Sequence, residues 1–239
     1  MDRPLVKDPV PQPAGHGESG MDGPLLPQPV RKAEAISAIE FYQQILAEQE
    51  VTIIALAPLT NLAVVIDEAP QLLKNIEEIV LMGGAMNGGN INRLAEFNIW
   101  HDPEAAKIVF DSGIKIVMAP LEVCDAGAIL ISETERFKNG GKVSRLVDDL
   151  FSFYLKYALD RRWDRTAIFD LMPVVYLLKP EIFVGKTGKI DVILDGEDTQ
   201  GQTILNEEEG NHLVLLDTDR QECMRIFFEA ITALDARYQ

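Results

Sequence analysis

The sequence predicts an α/β fold with a mostly parallel β-sheet and helices on both faces. Val51 to Leu56, Ile79 to Met82 and Ile114 to Ala119 are short, unbroken apolar runs, the pattern of strands buried on both sides. Between them lie stretches whose apolar residues recur at helical spacing. Strands that alternate with helices are joined by crossovers, and crossovers build parallel sheets.

Residues 1–30 are dense in Pro and Gly and carry no hydrophobic period, so they read as the loop-rich start of a single domain spanning 1–239. From Arg31 to Glu48, Ala35, Ile36, Ile39, Tyr42, Ile45 and Leu46 predict a helix, and Val51 to Leu56 the first strand. A helical stretch entered after Pro58 carries Leu62 to Ile66 and Leu72-Leu73. Ile79 to Met82 is the next strand, stopped by Gly83-Gly84. Asp102 to Ser112 has Pro103 in its first turn and Gly113 beyond its end, the punctuation of a helix. Pro120 closes the strand Ile114 to Ala119. Residues 132–160 read as wholly helical, and Ile168 to Leu178 as a helix leading to Pro180. Ile190 to Leu194, Thr203 to Leu205 and Leu213 to Leu216 read as strands, and Arg220 to Leu234 as the closing helix.

With 22 basic against 38 acidic residues the net charge is −16, a field that repels nucleic acid and favours a neutral or cationic small ligand. No apolar run reaches bilayer length, and the N-terminus lacks a signal-peptide core, so the expectation is a cytoplasmic protein with no membrane partner. Cys124 and Cys223 stand in no metal spacing, which fits isolated thiols in a reducing compartment.

In open α/β sheets ligands bind beyond the carboxyl ends of the strands. Three segments stand out there: Ala55-Leu56-Ala57-Pro58-Leu59-Thr60-Asn61, Leu81-Met82-Gly83-Gly84-Ala85, and the stretch from Asn87-Gly88-Gly89-Asn90 to Ala95-Glu96-Phe97-Asn98. Singly, Gly83-Gly84 reads as a tight turn, Asn61 as a helix cap and Asn98 as a turn former. Together, bare glycine backbone with Asn90, Glu96 and Asn98 offers donors and acceptors that match sugar hydroxyls.

The loop HGESGMDGP, then ALAPLTNLA, LMGGA, GGN and AEFNIWHDPEAA, occur in this order in inosine-uridine preferring nucleoside hydrolases, which this chain resembles over nearly its whole length. AEFN and DPEAA after an MGG turn carry most of the specificity. The resemblance implies a Rossmann-like enzyme of purine and pyrimidine salvage that cleaves the N-glycosidic bond of ribonucleosides with a bound Ca²⁺, usually as a homo-oligomer. It implies that Asn90 and Glu96 hold the ribose 5′-hydroxyl, that Asn98 bonds the lower hydroxyls and that Met82 packs beneath the sugar. It also implies that the Leu56 carbonyl and Asp170 bind the metal, and that His16 is an active-site histidine near the base. Asp170 reads equally as the N-cap of the helix that follows.

Two departures from the family pattern bear on the chemistry. The DxDxxxDD motif that opens the family, and supplies most metal oxygens, is absent from this sequence. The expectation is therefore a chain without the family's first two strand–helix units, roughly 60 residues. Such a chain would associate with itself or with a complementing N-terminal fragment. A catalytically inactive remnant, or a ribose-binding interaction subunit, is the alternative. The second departure is Phe169, which stands where many members place a proton-donating histidine; its ring can stack on a base but cannot donate a proton.

Overall fold

The computed structural model describes residues 3–10, 17, 20–26 and 28–238, apart from the side chain of residue 157. Its elements are α1 (Ala38–Glu48), β1 (Val51–Ala55), α2 (Thr60–Glu68), β2 (Ile76–Met82), α3 (Phe97–His101), α4 (Pro103–Phe110), β3 (Ile116–Ala119) and α5 (Leu121–Ala126). They continue with β4 (Ile129–Leu130), α6 (Ile131–Thr134), α7 (Lys142–Asp160), β5 (Arg165–Thr166) and α8 (Leu171–Leu178). The chain closes through β6 (Phe183–Val192), β7 (Thr203–Asn206), β8 (His212–Thr218) and α9 (Arg220–Arg237).

The main sheet runs β1-β2-β3-β8-β6-β7, parallel from β1 to β8 and antiparallel through β6 and β7. Successive strand residues point to opposite faces, and here both faces are buried. Ile79 and Leu81 of β2, with Ile116 and Met118 of β3, pack under α1, α2 and α4. Val80 and Met82, with Val117 and Ala119, pack under α5, α7, α8 and α9. A strand covered on both sides has no polar alternation to show, which is why β2 and β3 read as continuous apolar runs. β1 is the edge strand: it pairs with β2, and Ile54 is 41% exposed on its outer side.

Local sequence placed some element ends wrongly. The first helix starts at Ala38 because Ser37 and Glu40 form a capping box, leaving Ile36 exposed before it. The continuous helix over 132–160 is interrupted at Gly140 and Gly141. There the Asp235 carboxylate, from α9, accepts the N–H groups of Gly141, Val143 and Ser144 at 2.9, 2.7 and 3.0 Å and caps α7. A Cβ on Gly141 would lie 2.6 Å from the Asp235 Cγ, so the glycine admits the cap. The expected strand Ile190 to Leu194 is the end of the longer β6. Its first half, with Gly185 and Gly188, carries too little apolar signal to mark it. The helix before Pro180 starts at Leu171, three residues later than its apolar pattern.

Candidate active site

Ala55 pairs with Leu81, Leu81 with Met118, and Met82 with Ala119, so β1, β2 and β3 end side by side. Leu56, Gly83 and Pro120 therefore leave the sheet at one edge, where an α/β sheet binds its ligands. Gly84 turns the chain at φ +83°, and a Cβ there would sit 2.7 Å from the Met118 sulfur. Only glycine meets both demands.

The chain returns into α3, and the candidate residues hold that return together. Glu96 occupies the N-cap position, 3% exposed. Its Oε1 accepts the Asn98 N–H at 2.8 Å; its Oε2 accepts the N–H groups of Gly84 at 3.0 Å and Ile99 at 3.3 Å. Asn90 Oδ1 accepts the Phe97 N–H at 2.9 Å. Asn90 and Glu96 thus satisfy the first three N–H groups of α3, which have no partner within the helix. Asn98 is not a turn former but a buried helical residue, whose Nδ2 donates to the Met82 carbonyl at 3.1 Å. Asn90, Glu96, Asn98, Met82 and Gly84 are one bonded unit. Burial pushes the Glu96 carboxyl up to about 7 against the opposing pull of the Asn98, Gly84 and Ile99 N–H groups, and the charge of Asp170 adds to the rise.

Asp170 lies just before α8, exposed, and forms no side-chain cap bond, so the capping role open to it in the sequence is not what the structure shows. Its field reaches Glu96 and Cys124. Burial raises the Cys124 thiol, and the charges of Asp125, Glu96, Asp170 and Glu122 raise it further. The Phe169 carbonyl receives the Cys124 thiol at 3.6 Å, and its half-buried ring packs in the core under α5 and α8. Leu56 is 38% exposed beyond β1, beside the end of β2. His16 lies outside the described residues. His212 is structural, its Nε2 3.0 Å from the Phe110 carbonyl oxygen, and His101 packs on Phe97.

Local pattern missed Glu122, Asp125 and Thr203. Glu122 Oε1 accepts the N–H groups of Met86 and Asn87, and the Thr203 hydroxyl bonds both the N–H and the carbonyl of Ala85. Glu122 and Asp125 follow β3 closely enough that the strand-end rule alone points to them. Thr203 carries no such signal. Two surface cavities, of about 250 and 480 Å³, lie elsewhere, and none of the candidate residues lines either.

Calcium takes six to eight oxygens. Among the described residues no group of three or more His, Cys, Asp or Glu is placed to hold a metal. The Leu56 carbonyl and Asp170, the two ligands expected from the sequence, would supply only two of these oxygens, so the described residues do not form a calcium seat by themselves.

The family model described as "Inosine-uridine preferring nucleoside hydrolase" matches residues 1–229. The chain belongs to that family. Among similar proteins is a pyrimidine-specific ribonucleoside hydrolase of Citrobacter koseri, 40% identical over 239 residues, covering 96% of this chain and 77% of the relative. Its counterpart in Escherichia coli is 41% identical over 229 residues, covering 92% and 74%. A purine-preferring ribonucleoside hydrolase from Gardnerella vaginalis has a similar solved structure, with TM-score 0.90 and 26% identity, covering 98% of this chain and 79% of that one. A plant nucleoside hydrolase gives TM-score 0.87 at 27% identity, covering 94% and 76%. This nucleoside hydrolase therefore has the family fold, and its Asn90–Asn98 unit sits at the strand ends where that fold binds ligands.

Proposed function

We propose that this nucleoside hydrolase cleaves the N-glycosidic bond of ribonucleosides, giving ribose and free base, and that Asn90, Glu96, Asn98 and Met82 hold the sugar. One observation supports this above the others. A buried carboxylate, Glu96, is fixed by three N–H groups at the end of β2 between two asparagine side chains. Glu96 Oε1, which accepts a single N–H, keeps accepting capacity for a hydroxyl of the 5′ end. Asn98 presents its Oδ1 to the lower hydroxyls, since its Nδ2 is engaged by Met82. Bond cleavage builds positive charge on the ribosyl ring. Glu96, Asp170, Asp125 and Glu122 together make a field of the sign that favours it. In this reading the part of the Phe169 ring that the core leaves exposed stacks on the base, and His16 is placed on the base side.

In this reading Leu56 and Asp170 would contribute to holding calcium, the remaining oxygens coming from water or another chain. The cytoplasm is the proposed location, consistent with two free, buried thiols, Cys124 and Cys223. The proteins the chain resembles are nucleoside hydrolases, and none of them favours the catalytically inactive alternative.

The test is base release from uridine and inosine by the purified chain, with and without Ca²⁺. Release that depends on calcium is expected, with Asn98→Ala raising KM about tenfold for one lost hydrogen bond. No release, together with no nucleoside-dependent rise in melting temperature, would sink the enzyme reading.

The open edge of β1, with Ile54 exposed, is proposed to pair with a strand from a second copy or a complementing fragment. Sedimentation at micromolar concentration should then show a species larger than one chain; a strict monomer refutes pairing between copies.

A further inference from the structure

We infer that Glu122 is a positioning residue that sets the orientation of Asn90, an inference that rests on the sugar-binding role proposed for Asn90. Glu122 sits in the first turn of α5, the short helix after β3. Its Oε1 reaches across to the neighbouring strand end and accepts the N–H groups of Met86 at 3.0 Å and Asn87 at 2.7 Å, 36 and 35 residues earlier in the chain. Its Oε2 is buried and bonds to no described group, so the two N–H contacts are what hold the carboxylate.

The loop that receives these bonds is tied at other points. Thr203 holds Ala85, and Asn92 donates to the Gln200 carbonyl at 3.0 Å. Asn90 itself is fixed on the α3 side, through the Phe97 N–H and through its own N–H to the Ala95 carbonyl at 3.1 Å. On the β2 side only Gly88 and Gly89 separate Asn87 from Asn90, and Gly88 sits at φ +145°. Glycines transmit no orientation of their own. Their course follows from the points that hold the segment, the Gly89 N–H on the Arg93 carbonyl at 3.1 Å and the Asn87 N–H on Glu122, so the Glu122 bonds contribute to the direction of the Asn90 amide. A charge-assisted acceptor that takes two backbone N–H groups is stiff enough for this.

The experiment compares kcat/KM for uridine and 5′-deoxyuridine in the wild-type chain, Glu122→Ala and Glu122→Gln. If Glu122 acts through Asn90, Glu122→Ala loses about tenfold of the preference for uridine, the worth of one good hydrogen bond to the 5′-hydroxyl. Glu122→Gln keeps an acceptor oxygen and retains the preference within about threefold. Should Glu122→Ala fail to fold, Glu122→Asp withdraws the carboxylate by one methylene and is expected to lose part of the preference. Equal losses on both substrates, or an unchanged preference in the folded variants, overturns the inference while the nucleosidase reading stands. A wild-type chain that neither cleaves nor binds uridine overturns the nucleosidase reading and this inference with it.

Discussion

Glu96→Ala is expected to lower kcat/KM for uridine at least about tenfold, the loss of one charge-assisted substrate hydrogen bond at roughly 1.5–3 kcal/mol. It should also lower stability by about 2–4 kcal/mol, because the N–H groups of Gly84, Asn98 and Ile99 lose their acceptor inside the fold. Glu96→Gln keeps one acceptor oxygen and falls between. A distinctive signature is pH. The carboxyl is raised from 4.5 to about 7, so the folded chain binds this proton more tightly than the unfolded chain does. Its contribution is then fully present below pH 4.5 and is lost as pH rises through about 7, on the order of 3 kcal/mol in all. Denaturant midpoints of the wild-type chain from pH 4.5 to 8 should show this decline, and Glu96→Gln should flatten it. Identical pH slopes in the two proteins would show that Glu96 is not the group that titrates.

Asp102→Ala is expected to be the most destabilising single change among these residues, at about 3–5 kcal/mol. Asp102 has no exposed surface. Its Oδ2 accepts the Leu5 N–H at 3.0 Å and the Thr60 hydroxyl at 2.5 Å, and its Oδ1 accepts the Ala105 N–H at 3.2 Å as the cap of α4. One carboxylate therefore joins the N-terminal segment, α2 and α4. Lys7 lies over the Trp100 ring and donates to the Trp100 carbonyl, so this segment is docked on α3 as well. Removing the carboxylate should release residues 5–7 to early hydrogen exchange in addition to lowering the melting temperature. Asp111→Ala is the control: it breaks only an exposed pair with Lys107 and should cost less than about 0.5 kcal/mol. Equal melting temperatures for the two variants would contradict the role given to Asp102.

Much of the candidate site was legible because its residues are close in sequence. Met82, Gly84, Asn90, Glu96 and Asn98 fall within 17 positions, after an apolar run that marks a strand end. What the motif concealed is that Asn90 and Glu96 also cap α3, so their structural role and the binding role proposed for them share one arrangement. Asp170 shows the reverse: its position before a helix suggested a cap, and the structure leaves that cap unmade. Glu122 and Thr203 went unread because each supports the site loop across 35 to 118 positions of chain. No local period records such a contact.

The sequence by itself determined the α/β class, the positions of the first three strands and the loop that carries the candidate site residues. Continuous apolar runs, helical spacing and turn glycines report burial that each short segment must satisfy locally. Only the tertiary structure decided where α7 begins, how far β6 extends, and what holds the loop from Ala85 to Asn90. Those outcomes depend on Asp235, β8, Glu122 and Thr203, partners that folding alone brings within hydrogen-bond distance.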